Sequence, residues 1–455
     1  MLDPIGTYDL SFPVAHRSNR STRFKYVISL LIAIAWTTLS IQLAQPWMKD
    51  LGAITHPLFA FWAISFIAFV PGFMNAFLVA SLLMDRRPAR MAFPHYPGVT
   101  LIVAAYNEEN AIRATLDSIV KQNYSGAIEA LVVNDGSTDA TAERVRIGIL
   151  ENGLPPNISI RLLDFAENRG KAAALNSGLA EAKHDLICTI DGDSRLRRDS
   201  IRQIVERFLS DPPGTMAVAG AVLVRNSRET LMAGAQEWDY FHGIAAVKRM
   251  QSMYDGTLVA QGAFSLYRRD ALNAVGGWPE TVGEDIVLTW AMLKKGYRIG
   301  YAEDAILWTD APPTFKQFAR QRQRWSRGLV EALERHQGLL FKPRLTTLFV
   351  WWNMLFLPLD LTFSLVFTPG LILAAFGHYW IAGPMTLAIL PLAGLWNIVI
   401  FRIQNRMFKD EGLKVRRNRR GLLFYVLVYA LVMQPICVWG YICELTRQRK
   451  HWGTK

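Results

Sequence analysis

Leu186-Ile187-Cys188-Thr189-Ile190-Asp191-Gly192-Asp193-Ser194 decides the fold. An apolar run too short for a helix ends abruptly in two carboxylates around a glycine. This describes a buried strand that delivers acidic groups to a sheet edge. The pattern repeats upstream. Residues 99–105 read as a strand followed by Tyr106-Asn107-Glu108-Glu109, and residues 127–133 as a strand followed by Asn134-Asp135-Gly136-Ser137-Thr138-Asp139. Residues 158–163 form a third strand, ending near Asp164, whose loop leads into Asn168-Arg169-Gly170-Lys171. Helical spacing over residues 108–121, 138–150 and 171–183 separates these strands. Strict alternation of strand and helix predicts a parallel sheet with right-handed crossovers. Ligands of such sheets sit beyond the carboxyl ends of the strands, so the four polar loops should converge on one edge.

Outside this region the chain changes character. Of its 455 residues, 51% are hydrophobic, and they gather in runs at 26–44, 58–84, 345–376, 379–401 and 422–443. Each run reaches the roughly 20 residues that a membrane-crossing helix needs, and five crossings are expected. A cleaved leader is not expected, since no small-residue cleavage site follows the first run and a second run comes soon after. Orientation follows Lys and Arg in short flanks. Arg17, Arg20, Arg23 and Lys25 precede the first run, Arg86, Arg87 and Arg90 follow the second, and Arg402, Arg406, Lys414, Arg416, Arg417, Arg419 and Arg420 separate the last two. All three clusters place the N-terminus and the central domain in the cytoplasm. Five crossings would set the tail, with Arg447, Arg449, Lys450 and Lys455, on the opposite side, against the charge pattern. Pro358 and Asp360 mark where a broken passage would change the count. The net charge of +12 comes mostly from these clusters and suits anionic lipid; nucleic acid is not expected as a partner. Cys188, Cys437 and Cys443 show neither metal spacing nor a disulfide framework, and His242 and His336 read as structural.

The domain organisation expected is thus a tail with two membrane helices (1–96), a soluble α/β domain (97–313), an amphipathic segment (314–340), and about three membrane helices with a basic tail (341–455). Asp191 and Asp193 supply hard oxygen donors for Mg²⁺ or Mn²⁺, which bind through one or two carboxylates plus substrate phosphates. Gly192 between them allows a tight turn. Asp135 either accepts hydrogen bonds from a uracil ring or ribose, or caps the following helix. Lys171, at a helix start, either meets a diphosphate or is a surface lysine. Gly283-Glu284-Asp285 precedes a helix over residues 286–295 and reads as catalytic acid or as a plain cap. Gln321-Arg322-Gln323-Arg324-Trp325 lies on a helix over residues 315–336, where Gln321, Arg324 and Trp325 share a face. Guanidinium groups bind diphosphates and indoles stack on sugar rings; the same basic run also suits a membrane interface.

Together, Asp135, Asp191-Gly192-Asp193, Gly283-Glu284-Asp285, Gln261-Gly262-Ala263-Phe264-Ser265-Leu266-Tyr267-Arg268-Arg269 and Gln321-Arg322-Gln323-Arg324-Trp325 resemble the processive glycosyltransferases of family 2. This group includes cellulose, chitin and hyaluronan synthases. Two apolar runs before the domain and three after it look most like bacterial poly-β-1,6-N-acetylglucosamine synthases. The resemblance implies a GT-A-type domain, a Rossmann-like parallel-rich sheet inserted between transmembrane helices. It implies an inverting transfer from a UDP-sugar to a growing polysaccharide at the cytoplasmic face of the bacterial inner membrane, with Mg²⁺ or Mn²⁺ as cofactor. Carried over, Asp135 binds uridine, Asp191 contacts the nucleotide, Asp193 binds the metal, and Asp285, beside Glu284, is the general base. Lys171 joins the donor side, and Gln321, Arg324 and Trp325 hold the diphosphate and the acceptor end. Partners are the UDP-sugar, the polymer, the lipid bilayer and, by analogy, a small membrane subunit. Asp360, Trp351, Trp352 and Trp396 are candidates to line a polymer path.

Overall fold

Four strands, β1 (Val99–Ala105), β2 (Ile128–Asn134), β3 (Ile158–Asp164) and β4 (Leu186–Asp191), pair in parallel in the order β3-β2-β1-β4. This description comes from a computed structural model covering residues 19–85, 91–151, 153–415 and 417–449. Arg17, Arg86, Arg87, Arg90, Arg416, Lys450 and Lys455 lie outside the described residues. Register brings the strand ends level: Ala105 faces Asn134, Asn134 faces Asp164, and Ala104 faces Asp191. The polar loops therefore leave one edge together, as the alternation predicted.

Beyond β4 the sheet continues with β5 (Arg195–Leu196), β6 (Thr215–Val224), β7 (Phe264–Arg268) and β8 (Arg298–Thr309), in the order β7-β6-β8-β5. Here it is mixed. β7 runs antiparallel to both β4 and β6, β6 and β8 are parallel, and β5 opposes β8. The departure from a wholly parallel sheet has a topological cause. The chain leaves β6 at the functional edge and re-enters β7 from that edge, so β7 must run backwards. Residues 225–263 thus stay over the edge where the acidic loops emerge.

Side chains alternate across the sheet and both faces are covered. Leu101 and Val103 pack with Leu116, Ile119, Ile201 and Ile204 on one face. Ile102, Leu131 and Val133 pack with Ala172 and Leu175 on the other. That second face is continuous with the apolar helices, through Phe77, Tyr254 and Phe349.

Among the described residues, four helices are long and apolar enough to cross a membrane: Thr22–Leu43, Pro57–Leu83, Thr347–Ala375 and Arg419–Leu445. Their outward side chains are apolar, with Leu31 56%, Leu365 67% and Leu423 62% exposed, which marks a membrane protein. The run at 379–401 falls mostly on the helix Pro384–Asp410, several of whose side chains are outside the described residues. The helix Phe315–Arg335 lies along the last apolar helix. Phe318 stacks near Tyr429, Gln323 Nε2 meets Cys443 Sγ at 3.2 Å, and Arg327 Nε donates to Glu444 Oε2 at 2.9 Å. Arg327 also donates to the carbonyl of Gln448 at 2.7 Å. The last described residues, through Arg449, therefore sit beside the helix that packs on the α/β domain.

Candidate active site

Three loops are stitched together before any catalytic group is considered. Asn107 N–H donates to Ser137 Oγ at 2.9 Å, Thr138 N–H to Asn107 Oδ1 at 2.9 Å, and Asn134 Nδ2 to Asp164 Oδ1 at 2.7 Å. Asp135, 3% exposed, receives Arg169 N–H at 2.8 Å and Gly170 N–H at 2.9 Å, one on each carboxylate oxygen. It thereby fixes the turn that opens the helix Lys171–Glu181 rather than capping the helix that follows it. Each carboxylate oxygen keeps a second lone pair, so this role leaves Asp135 able to accept a further hydrogen bond.

Lys171 is not a surface lysine. Its side chain is 10% exposed, and Nζ lies 2.5 Å from Asp191 Oδ1 and 3.7 Å from Glu284 Oε1. Burial alone would lower its pKa; the two carboxylates outweigh that and raise it, so the ammonium stays charged. Glu284 is buried, and desolvation pushes its carboxyl up to about 7, opposed by Lys171 and reinforced by Asp285. Gly262 completes the cluster: its N–H reaches Asp285 Oδ2 at 3.3 Å, and a Cβ there would lie 3.1 Å from Lys171 Nζ and 3.5 Å from Glu284 Oε1. Ile286 N–H holds the other Asp285 oxygen at 2.7 Å. The residue at the N-cap of this helix is Gly283, and both acids lie in its first turn.

Gly192 serves differently from expectation. It has no left-handed conformation. A Cβ there would press to 3.1 Å from Ala105 Cβ and 3.2 Å from the Ala104 carbonyl, so the small residue lets the turn lie against β1. Asp193 receives Ser194 Oγ at 3.3 Å, and Arg225 and Tyr240 both feel its charge. No group of three His, Cys, Asp or Glu among the described residues could cage a metal ion. Two carboxylates on one turn, Asp191 and Asp193, instead fit a cation that completes its shell with substrate phosphates and water.

The arginine–tryptophan helix is brought to this cluster by two glycines. Gly283 and Gly328 approach so closely that a Cβ on either would lie 2.5–2.7 Å from the other's α-carbon. Glu331 Oε2 accepts Gly283 N–H at 3.1 Å. Arg324 is close enough to act on the charge of Glu284. Trp325 is 39% exposed, with its ring 6.2 Å from that of Tyr240. Gln321 Oε1 is buried and has no hydrogen-bond partner among the described residues. Tyr240, which faces Asp193, Arg324 and Trp325 at once, was invisible to sequence reading because it lies on the irregular excursion between β6 and β7. Lys248 was missed for the same reason. It is buried, donates to the Val259 carbonyl at 2.7 Å, and burial lowers its pKa to about 7 while Asp285 opposes that shift. Among the polymer-path candidates, Asp360 accepts the Tyr441 hydroxyl at 2.7 Å, Trp352 packs on Phe77 and Phe349, Trp396 on Trp36, and Trp351 Nε1 donates to the Leu340 carbonyl at 2.9 Å. His242 is walled in by Trp238, Phe241 and Phe401, and burial lowers its pKa to about 4, as suits a structural residue.

Known proteins are similar to this chain in sequence and in fold. The chain is 32% identical over 282 residues to poly-β-1,6-N-acetyl-D-glucosamine synthase of Staphylococcus aureus, covering 60% of this chain and 66% of that one. The Staphylococcus epidermidis protein of that name is 28% identical over 297 residues, covering 63% and 70%. The chain thus spans just under two thirds of the length of its Staphylococcus aureus relative. In structure it resembles the mannosyltransferase PcManGT from Pyrobaculum calidifontis in complex with GDP-Man and Mn²⁺, with a TM-score of 0.60 and 22% identity over 85% of this chain and 99% of that one. That likeness establishes a shared GT-A fold. Residues 97–328, from the approach to β1 through Gly328, match the family described as Glycosyltransferase like family 2. The matched stretch begins with the strand that seeds the sheet and ends on the arginine–tryptophan helix, and the chain belongs to glycosyltransferase family 2.

Proposed function

We propose that this protein polymerises a UDP-activated sugar by inverting transfer at the cytoplasmic face of a membrane. The sugar we favour is N-acetylglucosamine, the product poly-β-1,6-N-acetylglucosamine, and the protein helps the chain across the bilayer. The observation that carries this reading is the gathering of Lys171, Asp191, Glu284 and Asp285 at one sheet edge, beside the helix bearing Arg324 and Trp325. Likeness to the staphylococcal synthases supports the choice of sugar and linkage.

In this reading Asp285 takes the proton from an acceptor hydroxyl as its oxygen attacks the anomeric carbon. Two backbone N–H groups orient that carboxylate, which is what a general base requires. The bond to the diphosphate breaks and negative charge collects on the leaving group. Lys171, held rigidly by Asp191 and Glu284, and Arg324 supply fixed positive charge there, commonly the largest contribution to such a rate. Asp193, with Asp191, would hold Mg²⁺ or Mn²⁺, which when bound neutralises the diphosphate. Asp135 and the turn it fixes receive the uridine. Trp325 offers a face on which the acceptor end stacks.

The test uses the full-length protein in detergent or lipid nanodiscs, with a panel of UDP-sugars and mass analysis of products. A ladder of long polymers from one UDP-sugar supports the reading; a single sugar added to lipid refutes polymerisation. Asp285→Asn should lower turnover by about 10²–10⁴-fold with UDP affinity retained. Normal polymerisation by this variant would refute the base assignment.

A further inference from the structure

Arg322 lies between Gln321 and Arg324 in the sequence motif, yet the reaction scheme gives it no task. It is only 4% exposed. Its guanidinium carbon sits 4.1 Å from the centre of the Trp325 ring, 5.2 Å from Phe318 and 5.8 Å from Tyr429. One terminal nitrogen lies 2.9 Å from Asp239 Oδ2, and the same oxygen accepts the Tyr429 hydroxyl at 3.0 Å. Among the described residues Nε has no hydrogen-bond partner, and neither does the terminal nitrogen beside Asp239, whose contact is an ion pair outside hydrogen-bond geometry. A buried guanidinium with an unsatisfied N–H is costly. The geometry gives up that hydrogen bond and presents a flat cationic face to the indole instead. Such contacts strengthen when water is excluded, as here.

We propose that Arg322 is the positioning residue of the sugar platform: clamped by Asp239 and Tyr429, it sets the tilt of the half-exposed Trp325 indole on which the acceptor rests. This rests on the reading of Trp325 given above. The clamp has a structural consequence. Asp239 belongs to the wide π-helical turn Asp239–Ile244, on the excursion over the active edge, and Tyr429 to the π-helical turn Tyr425–Tyr429 of the last apolar helix. The angle of the platform is therefore shared between the soluble domain and a helix of the membrane region. A shift of that last helix therefore reaches the platform through Arg322, beside the contacts that Gln323 and Arg327 make with the same helix.

Arg322→Lys tests this, because it keeps the charge for Asp239 but loses the planar face. The assay is elongation of a short oligosaccharide of the transferred sugar by the full-length protein in nanodiscs, read beside UDP affinity. Arg322→Lys should raise the KM for the oligosaccharide on the order of 10-fold while UDP affinity stays unchanged. Trp325→Ala should give a comparable loss, and the double variant should be no worse than the more impaired single one, as coupled residues behave. If the two losses multiply, or if Arg322→Lys weakens UDP binding and elongation alike, the positioning role is overturned. If Trp325→Ala elongates normally, the platform reading itself fails and takes the proposal with it. Should Arg322→Lys not fold, Asp239→Asn and Tyr429→Phe keep side-chain volume, loosen the clamp, and enter the same cycle with Trp325→Ala under the same criteria.

Discussion

Gly328→Ala perturbs catalysis without touching a reacting group, and its size follows from the structure. A Cβ at position 328 would lie 2.7 Å from the α-carbon of Gly283, and the reciprocal Cβ at 283 would lie 2.5 Å from the α-carbon of Gly328. Ordinary contact begins near 3.4 Å, so the two helices must separate by about 0.7 Å on this side. No rotamer change relieves the clash, because the opposing atom is backbone. Two effects then compete. Alanine is favoured over glycine inside a helix by about 1 kcal/mol. Overpacking a close contact costs about 1–3 kcal/mol. The net destabilisation should be about 0–2 kcal/mol, a modest fall in melting temperature. Activity should suffer far more, because Gly283 immediately precedes Glu284 and Asp285 while Gly328 shares a helix with Arg324 and Trp325. A misplacement approaching 1 Å in such a site can cost on the order of 10²-fold in rate. Steady-state release of UDP, with melting measured by intrinsic fluorescence, reads both quantities. Gly338→Ala is the control, since nothing lies within 4 Å of its would-be Cβ. Wild-type turnover by Gly328→Ala would refute the claim that this glycine contact sets the distance between base and arginine.

Lys171→Met should leave Asp191 and Glu284 facing each other unpaired; removing one partner of a buried ion pair costs about 3–5 kcal/mol, so a large drop in melting temperature should accompany lost turnover. Glu284→Gln should flatten the pH dependence of stability. Burial raises this carboxyl to about 7 from an ordinary 4.5, so the folded chain holds the proton more tightly than the unfolded chain. The stabilisation is complete below about 4.5 and is lost as pH rises through 7. A melting-temperature series from pH 5 to 8 that is identical for both proteins would contradict this. Asp193→Ala should abolish the Mg²⁺ or Mn²⁺ dependence of donor affinity in calorimetric titrations with UDP-sugar, and metal-dependent binding that survives would move the cation site elsewhere.

Much of the site was legible before any coordinates. Strand length and alternation located four loops, Asp191-Gly192-Asp193 among them, which leave one sheet edge together, while Gly283-Glu284-Asp285 was legible only as a helix start and through the family resemblance. That inference worked because local patterning governs strands and helices, and because parallel strands of matched register must end together. Among the described residues, four of the five apolar runs coincide with helices long and apolar enough to cross a membrane, for the same local reason. Proximity between distant segments was a different matter. Lys171 allowed a surface reading until the fold set it 2.5 Å from Asp191, 20 positions further along the chain. Tyr240, Asp239 and Lys248 sit on an excursion with no strand rhythm, which the antiparallel return of β7 and contacts from Arg322 and Tyr429 hold over the site. The Gly283–Gly328 contact and the Arg322 clamp each join elements tens of residues apart. Residue types and local geometry along one chain thus determined which groups were available. Packing of both sheet faces and the apolar helices, a collective property of many weak contacts, decided which of those groups meet.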